Sequence, residues 1–230
     1  MDNFFVVGTD TGVGKTVLSL LLMQFFFAKG YNPFYIKPVQ TGCKGPNYID
    51  SDAKFIYQHI GYLKDKDPAD SVIYCFKNPK APIFAARDEG KAIDLSVIIK
   101  VVVEKTKSYS PLIIEGAGGV LVPVVGGTLV ADLPMLTNTK PIIAARAGLG
   151  TINHTLLTIE ALTGRGLTPL GVVLIDAAKK ETPPEMVAEN ILAIEEASGV
   201  KVTGVIGRII EFSQPPQDCY LPISRMFSKL

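Results

Sequence analysis

A glycine-rich segment near the start of the chain carries the residue types that bind phosphate. The segment Gly8-Thr-Asp-Thr-Gly-Val-Gly-Lys15-Thr16 follows an apolar run, Asn3–Gly8, that is typical of a buried strand, and it leads into Val17–Gly30, which is typical of a helix. Such a turn points backbone N–H groups at the space above the helix N-terminus, where the helix dipole favours anions. Lys15 can reach the outer phosphates of a nucleotide, and the Thr16 hydroxyl can ligate Mg²⁺. The segment predicts a binding site for a nucleoside polyphosphate.

The spacing departs from the strict P-loop pattern at one position. The first glycine of that pattern falls on Thr9, whereas this chain has its glycine one residue earlier, at Gly8. The Gly-Lys-Thr ending at the junction of strand and helix is the more specific part of the motif, so the prediction of a nucleotide site stands.

A lysine ends a second apolar run, in Lys37-Pro-Val-Gln-Thr41-Gly42. A buried ammonium group is costly unless it is paired with an anion. A lysine at the edge of a sheet could simply reach solvent. Because this one precedes a proline and a Thr-Gly turn in a chain with a phosphate loop, we favour a role for Lys37 facing an anion at the mouth of the sheet.

Two carboxylates are candidate ligands of Mg²⁺. Glu115 ends the hydrophobic run Leu112-Ile-Ile-Glu115 and precedes glycines that let the backbone approach phosphates closely. A carboxylate in this context is the acidic partner with which a P-loop NTPase holds Mg²⁺ or its water. Asp52 is either a helix-capping residue or a further Mg²⁺ ligand, and the sequence does not separate these two interpretations.

A second glycine turn, Gly148-Leu-Gly150-Thr151-Ile-Asn153-His154, runs into a helix N-terminus and could bind a carboxylate or a phosphate. His154 could act as a catalytic base, but we favour a hydrogen-bonded structural histidine. Because His59 and His154 are the two histidines of the chain, a histidine-based metal site is not expected.

Strand-like and helix-like patterns alternate along the whole chain. The strands are apolar throughout rather than alternating, which indicates that both faces of a parallel sheet are buried. This pattern predicts an α/β fold, a single-domain P-loop NTPase covering residues 1–230, with a mostly parallel doubly wound sheet flanked by helices. Ligands of such sheets bind outside the carboxyl ends of the strands. The predicted strands are Asn3–Gly8, Pro33–Val39, Val72–Phe76, Pro111–Gly118, Lys140–Ala145, Leu170–Asp176 and Lys201–Arg208. The predicted helices are Val17–Gly30, Ser51–Ile60, Asp94–Lys107, Thr151–Gly164 and Pro183–Ser198, and a loop is predicted through Pro79 and Pro82.

The composition bounds the class of protein. The 230 residues are 47% hydrophobic and 20% charged, and the net charge of +1 creates no field that would attract nucleic acid or an anionic membrane. Cys43, Cys75 and Cys219 show no CxxC spacing, which favours a reduced, cytoplasmic setting over a disulfide framework. The apolar stretch Val17–Ala28 is too short to span a membrane, and no signal-peptide pattern precedes it. We expect a soluble cytoplasmic protein that binds neither nucleic acid nor membranes.

Taken together, these motifs resemble the dethiobiotin synthetase family, and the resemblance covers most of the chain. The matching segments, in chain order, are Gly8–Thr16, Lys37–Gly42, Ser51-Asp52, Glu115–Gly119 and Gly150–His154. The opening motif is shared with cobyrinic-acid-type amidases and with the N-terminal domains of phosphotransacetylases. The Lys-Pro-Val segment and the Gly-x-Ile-Asn-His turn are more specific.

The resemblance implies a homodimeric, Mg²⁺-dependent enzyme of biotin biosynthesis that uses ATP to close a ureido ring. Its substrates are 7,8-diaminopelargonate, CO₂ and a nucleoside triphosphate. The N7 amine captures CO₂ as a carbamate, and a carbamate oxygen attacks the γ-phosphate of ATP. The N8 amine then displaces phosphate from the mixed carbamic-phosphoric anhydride, which gives dethiobiotin, ADP and phosphate.

The resemblance also implies the site residues. The catalytic positions correspond to Lys37, Lys15 and Thr11, and the metal positions to Thr16, Asp52 and Glu115. The nucleotide positions correspond to Gly12, Val13, Gly14, Lys15, Thr16, Asp52, Glu115, Gly116, Ala117, Gly118, Ile175, Asp176 and Ile206. The substrate positions correspond to Thr11, Lys37, Thr41, Gly118, Gly150, Thr151 and Asn153. The distal carboxylate of the substrate is expected at the helix start Gly150–Asn153 of the other subunit, so the active site is shared.

The chain departs from the family pattern around the nucleobase. Members that prefer ATP carry an asparagine at the position of Ile175, and a Gly-x-Ile-Pro turn where this chain has Gly204-Val-Ile-Gly207. The amide hydrogen bonds to adenine are therefore missing, which predicts weaker adenine specificity. The aromatic residue that contacts the substrate tail in the family is not evident around Met186.

Other classes of function were weighed against this one. A MinD/ParA-like, partner-regulated ATPase switch would carry a lysine at Asp10 and an amphipathic C-terminal helix, whereas prolines interrupt this C-terminal segment. An accessory domain of an amidotransferase would need a glutaminase region. A non-catalytic nucleotide-binding module would leave Lys37 and Glu115 without a role.

Overall fold

Nine strands, eight α-helices and four short 3-10 helices make up the regular structure within residues 2–178 and 180–228, the part of the chain that the computed structural model describes. The strands are β1 (Phe4–Gly8), β2 (Phe34–Thr41), β3 (Val72–Phe76), β4 (Leu112–Gly119), β5 (Pro123–Val125), β6 (Thr128–Leu129), β7 (Lys140–Arg146), β8 (Val172–Ile175) and β9 (Val202–Ile206). The helices are α1 (Lys15–Ala28), α2 (Asp52–His59), α3 (Pro82–Asp88), α4 (Leu95–Thr106), α5 (Leu133–Leu136), α6 (Thr151–Thr163), α7 (Pro184–Ser198) and α8 (Leu221–Met226).

Seven of the strands form one sheet in the order β3-β2-β4-β1-β7-β8-β9, and all neighbouring pairs are parallel. The strand β1 lies between β4 and β7, where the chain switches from building one half of the sheet to building the other. All seven carboxyl ends therefore meet at one edge, and the turn after β1 lies at its centre. The predicted fold class, one α/β domain with a doubly wound parallel sheet, is confirmed.

Both faces of the sheet are covered, and the sequence of β1 shows why. Phe4 and Val6 point into an apolar layer under α1, α2 and α8, whereas Phe5 and Val7 point into the opposite layer under α3 to α7. Successive strand residues face opposite sides, so a strand buried on both faces must be apolar at every position. This is why the strands lack an alternating pattern.

The structure differs from the sequence prediction in several elements, and the short helices α5 and α8 were not among the predicted ones. The region around Pro79 and Pro82 was predicted as a loop, but Pro82 begins α3, because proline fits the first turn of a helix, where no intrahelical partner is needed for its missing N–H. The short antiparallel pair β5 and β6 was not predicted. Helix α1 begins at Lys15 rather than Val17, so Lys15 and Thr16 belong to its first turn.

Helices long and apolar enough to cross a bilayer were not found among residues 2–178 and 180–228. The three cysteines, Cys43, Cys75 and Cys219, are free thiols.

Candidate active site

The turn between β1 and α1 is shaped by two glycines. Gly14 caps α1 in the left-handed conformation, with φ of 94°, which an L side chain rarely adopts. The Lys15 side chain folds back over the turn, where its ammonium donates a hydrogen bond to the Asp10 carbonyl over 2.8 Å. A Cβ atom at Gly8 would lie 2.9 Å from Lys15 Nζ, so glycine at this position leaves room for the lysine.

A cluster of charges joins the middle of β2 and β4, where Lys37 and Glu115 are buried, to the starts of α1 and α2. Lys37 Nζ lies 2.7 Å from Asp52 Oδ2 and 2.8 Å from Glu115 Oε1, and it also donates to the Gly116 carbonyl over 3.1 Å. The Thr16 hydroxyl lies 3.1 Å from Asp52 Oδ1 and 2.9 Å from Glu115 Oε1. Three oxygen-bearing side chains and one ammonium group thus converge beside the phosphate-binding turn.

Three neighbouring side chains hold this cluster in place. The Tyr35 hydroxyl donates to Glu115 Oε2 over 2.9 Å, and Gln40 Oε1 accepts a hydrogen bond from the Asp52 backbone N–H over 3.2 Å. The side chain of Ser51 caps α2 by accepting from the Lys54 N–H. Ser51 is therefore the helix cap, and the Asp52 carboxylate faces Lys37 instead of capping the helix.

Burial and charge act differently on the titratable groups of the cluster. Burial lowers the pKa of Lys15 to about 8, and the neighbouring Lys37 ammonium adds to this effect. Burial alone would lower the pKa of Lys37 as well, but the Asp52 and Glu115 carboxylates raise it above its ordinary value. Burial opposes ionisation of Asp52, yet the Lys37 ammonium holds the pKa of that carboxyl below its usual range. Burial and the Glu115 charge raise the pKa of Tyr35 well above its usual value.

A cavity of about 800 Å³ opens at this edge of the sheet. It brings together twelve of the predicted site residues: Thr11, Gly12, Gly14, Lys15, Thr16, Lys37, Thr41, Asp52, Glu115, Ala117, Gly118 and Ile175. Its volume lies within the range of ligand and cofactor sites. The predicted phosphate, metal and substrate positions of these residues therefore share one cavity.

A family described as an AAA domain matches residues 2–216 of the chain. The ATP-dependent dethiobiotin synthetase of Bacillus thuringiensis is 39% identical over 206 residues, which cover 90% of this chain and 83% of that protein. The dethiobiotin synthetase of Methanococcus vannielii is 37% identical over 203 residues, covering 88% and 92% respectively. The chain belongs to the dethiobiotin synthetase family. A relative of the same name from a Hydrogenobaculum species is 41% identical over 172 residues, covering 74% and 75%.

Solved structures outside the dethiobiotin synthetase family share this fold. The cell division ATPase MinD of Pyrococcus furiosus superposes with a TM-score of 0.60 at 15% identity, covering 100% of this chain and 99% of that one. Apo McdA of Cyanthece superposes with a TM-score of 0.59 at 13% identity, covering 99% and 98%. At such identities the likeness shows the fold alone.

Four residues that the dethiobiotin synthetase resemblance placed at the nucleotide do not line the cavity. Val13 is buried under the turn, and Gly116 gives its carbonyl to Lys37. The Asp176 carboxylate accepts a hydrogen bond from the Thr182 N–H over 2.7 Å, and Ile206 is fully buried.

The helix start Gly150–Asn153 also lies outside the cavity lining of this single chain. Gly150 caps α6 in the left-handed conformation, and the side chains of Asn153 and His154 are exposed. The Thr151 hydroxyl is buried against Thr155 at 3.3 Å. The start of α6 therefore contributes no residue to the lining of the cavity described above.

Several residues of the site were missed by the sequence analysis. Tyr35 could have been found, because it lies two residues before Lys37 on β2 and side chains two residues apart on a strand share one face. Gln40 directly precedes Thr41 on the same strand. Phe55, Lys80 and Phe212 also line the cavity. Phe212 had no local signal, since hydrogen bonds from Gln24 to the Phe212 and His59 carbonyls bring its distant segment to α2.

Proposed function

We propose that this protein is an ATP-dependent cyclo-ligase that converts 7,8-diaminopelargonate, CO₂ and ATP into dethiobiotin, ADP and phosphate. The observation that carries the proposal is the buried Lys37 ammonium, which lies between two carboxylates beside a phosphate-binding turn, in a chain that is 37 to 41% identical to named dethiobiotin synthetases. We propose further that the chain forms one domain over residues 1–230 and acts as a cytoplasmic homodimer without nucleic acid or membrane partners.

The chemistry proceeds in three steps. The N7 amine of the diamine adds to CO₂ and loses a proton, which gives a carbamate. A carbamate oxygen attacks the γ-phosphorus, the bond to the β-phosphate oxygen breaks, and ADP leaves. The N8 amine then attacks the carbonyl carbon of the anhydride and loses its proton, and the carbon–oxygen bond to phosphate breaks as the ring closes.

Lys15 and Lys37 supply the positive charge that this reaction needs. Carbamate and triphosphate are both anionic, and their approach costs Coulomb energy unless cations screen it. Lys15 contacts the outer phosphates, and Lys37 lies between the phosphates and the carbamate. Fixed charges at these positions also stabilise the charge that develops on the transferring phosphoryl group.

The residues at the site fit Mg²⁺. The Thr16 hydroxyl lies within hydrogen-bonding distance of the Asp52 and Glu115 carboxylates, and Mg²⁺ prefers carboxylate and hydroxyl oxygens combined with substrate phosphates. These three residues would hold the ion. When bound, Mg²⁺ supplies charge neutralisation at the β- and γ-phosphates. Residues 2–178 and 180–228 hold no group of three or more His, Cys, Asp or Glu side chains suited to a metal. The Thr16 hydroxyl and the substrate phosphates would complete the donor set of Asp52 and Glu115.

The remaining positions hold the organic substrate. The Thr11 and Thr41 hydroxyls and the Gly118 backbone contact the carbamate end, and a Cβ at Gly118 would lie 3.6 Å from Thr11 Oγ1. The distal carboxylate binds the exposed helix start Gly150–Asn153 of a second subunit, where free N–H groups and the helix dipole favour an anion.

A coupled assay for phosphate release tests this function. We expect release to require nucleotide, diaminopelargonate and bicarbonate together, with dethiobiotin formed in equal amount. If the folded protein releases phosphate at a rate that the diamine does not change, the enzyme assignment is wrong.

The Lys37→Ala variant sharpens the assay. It should lose about 10²- to 10³-fold in kcat while still binding nucleotide, because Lys37 acts on developing charge. Lys140→Ala is the matched control, since Lys140 lies at the opposite edge of the sheet and pairs with Asp2. Turnover of Lys37→Ala near that of the control would remove Lys37 from the catalytic residues.

A further inference from the structure

Tyr35 is a fully buried side chain with its hydroxyl in the charged cluster. On β2 it pairs with Ile113 of β4, and Glu115 lies two residues further along β4. Side chains two residues apart on a strand share one face. Tyr35, Lys37 and Glu115 therefore all point toward α1, with the Tyr35 ring in the apolar layer beside Leu18.

The Tyr35 hydroxyl donates to a different oxygen of the Glu115 carboxylate from the one that Lys37 and Thr16 contact. Glu115 Oε2 accepts from Tyr35 over 2.9 Å, whereas Oε1 accepts from Lys37 and Thr16 over 2.8 and 2.9 Å. Glu115 is 1% exposed and Tyr35 is fully buried, so solvent has no access from which water could replace the phenol.

We propose that Tyr35 is a positioning residue for this reaction, one that fixes the Glu115 carboxylate in the rotation that turns Oε1 toward Thr16 and the nucleotide phosphates. The inference rests on the proposed function for its Mg²⁺ site. Without the hydroxyl, the buried Oε2 atom has no donor. The carboxylate is then held through Oε1 alone, so its rotation is no longer fixed and Oε1 no longer keeps the position at which it would meet Mg²⁺.

The test compares the Tyr35→Phe variant with the wild type in Mg²⁺-dependent nucleotide binding. The affinity for a fluorescent ADP analogue is measured in EDTA and across a series of Mg²⁺ concentrations. In EDTA, we expect the variant and the wild type to bind the analogue with equal affinity. With Mg²⁺, the variant should need about 10- to 100-fold more of the ion to reach the same gain in affinity, which is the usual loss when a group that orients a metal ligand is removed. In turnover, kcat at limiting Mg²⁺ should fall and recover at high Mg²⁺, with the KM for the diamine unchanged.

Tyr57→Phe is the matched control. Tyr57 is also buried in the α1 layer, but its hydroxyl is bonded to Ser71 over 2.9 Å, away from the cluster. This variant should lose a similar amount of thermal stability and keep wild-type Mg²⁺ dependence. Equal Mg²⁺ dependence in wild type and Tyr35→Phe, or an equal change in Tyr57→Phe, would overturn the proposal.

Two further measurements separate the possible failures. Tyr35→Met also lacks the hydroxyl and serves if the phenyl ring does not support folding. Adding Tyr35→Phe to Glu115→Gln should cause no further loss of Mg²⁺ dependence, since both changes act on one interaction. Mg²⁺-dependent binding of ADP is measured without the diamine. This measurement therefore tests the role of Tyr35 even if the protein does not catalyse the reaction of the diamine.

Discussion

The pKa values of two lysines in one cavity are shifted in opposite directions. Lys15 is buried near the positive Lys37 and donates to a neutral carbonyl, so its pKa falls to about 8. Lys37 is also buried, but two carboxylates hold it, and its pKa rises. Lys37 is therefore charged throughout the physiological range, whereas Lys15 loses its charge above about pH 8 unless an anion is bound.

Nucleotide binding should take up a proton at Lys15 near pH 8. Phosphates favour the ammonium form, so the pKa of Lys15 rises on binding. A group whose pKa is raised in the bound state favours binding below its free-state pKa. The affinity for ADP should be constant below about pH 8 and fall by up to about tenfold per pH unit above it. Calorimetry in EDTA between pH 7.5 and 9.5, in buffers of different ionisation enthalpy, measures both quantities.

The control for this titration is Lys15→Arg, because guanidinium stays charged over the whole range. Its ADP affinity should be independent of pH in the same window. A wild-type affinity that is flat from pH 7.5 to 9.5 would show that Lys15 is not the group that titrates.

Ile175 is expected to weaken discrimination between nucleobases. Its side chain lines the cavity, where an asparagine would offer both a donor and an acceptor to a base edge. We expect kcat/KM values for ATP, CTP and GTP within about tenfold of one another. Ile175→Asn should raise the preference for ATP by roughly tenfold, since each hydrogen bond contributes about 1 kcal/mol.

Ile175→Val preserves the apolar wall and serves as the control for the loss of packing. Its ratio of kcat/KM values for the three nucleotides should match that of the wild type. A wild type that already prefers ATP by several orders of magnitude would contradict the prediction, whatever the variants do.

At the level of elements, the turn between β1 and α1 packs closely against the end of β8. A Cβ atom built on Gly14 would lie 2.6 Å from Ile175 Cδ1, so the last residue of β8 packs directly on the backbone of the turn. The same isoleucine that leaves the base without an amide partner thus supports the loop that holds the phosphates.

Gly14→Ala should destabilise the nucleotide-free protein by roughly 2 to 4 kcal/mol, from the left-handed φ and the collision with Ile175. Gly166→Ala isolates the first effect, because Gly166 has φ of 73° and open space around it. Urea unfolding of both variants, and of Gly14→Ala combined with Ile175→Ala, gives the measurement. If Ile175→Ala recovers none of the extra loss, the collision is not its cause.

The sequence predicted best those elements whose formation depends on residues close together in the chain. Apolar runs predicted all seven strands of the main sheet, and a charged residue after an apolar run marked Lys37 and Glu115 as candidates. The structure places both in the middle of their strands, 2.8 Å apart. The sequence failed where a contact depends on distant partners. Phe212 reaches the cavity through contacts with residues distant in sequence, a hydrogen bond from Gln24 to its carbonyl and ring packing on Phe55. Pro82 predicts a loop when read alone, although proline also begins helices.

At the level of the whole molecule, one part of the proposed site lies apart from the rest. The cavity gathers the phosphate, metal and carbamate positions, whereas Gly150–Asn153 lies outside its lining. Leu149, beside that helix start, is 89% exposed. A large apolar side chain in water next to a free helix start is consistent with burial against another subunit.

If each active site takes its helix start from the partner, two inactive variants should complement each other. Lys37→Ala removes the catalytic lysine, and Asn153→Glu places a negative charge where the substrate carboxylate binds. In a heterodimer, both changes fall in one site and the second site is intact. Since random pairing makes half of the dimers mixed, co-expression should restore about a quarter of wild-type turnover at limiting diamine.

The pairing of Lys37→Ala with Glu115→Gln distinguishes a shared site from mere dimerisation. Both residues belong to the same side of the site, so in that heterodimer each site carries one of the two changes and neither works. Turnover should therefore stay at the level of the single variants. No recovery with Asn153→Glu would mean that the substrate carboxylate is bound within one chain, and the exposed start of α6 would then need another explanation. Recovery in the control would mean that restored turnover does not report a shared site, and the test would then count against the proposal.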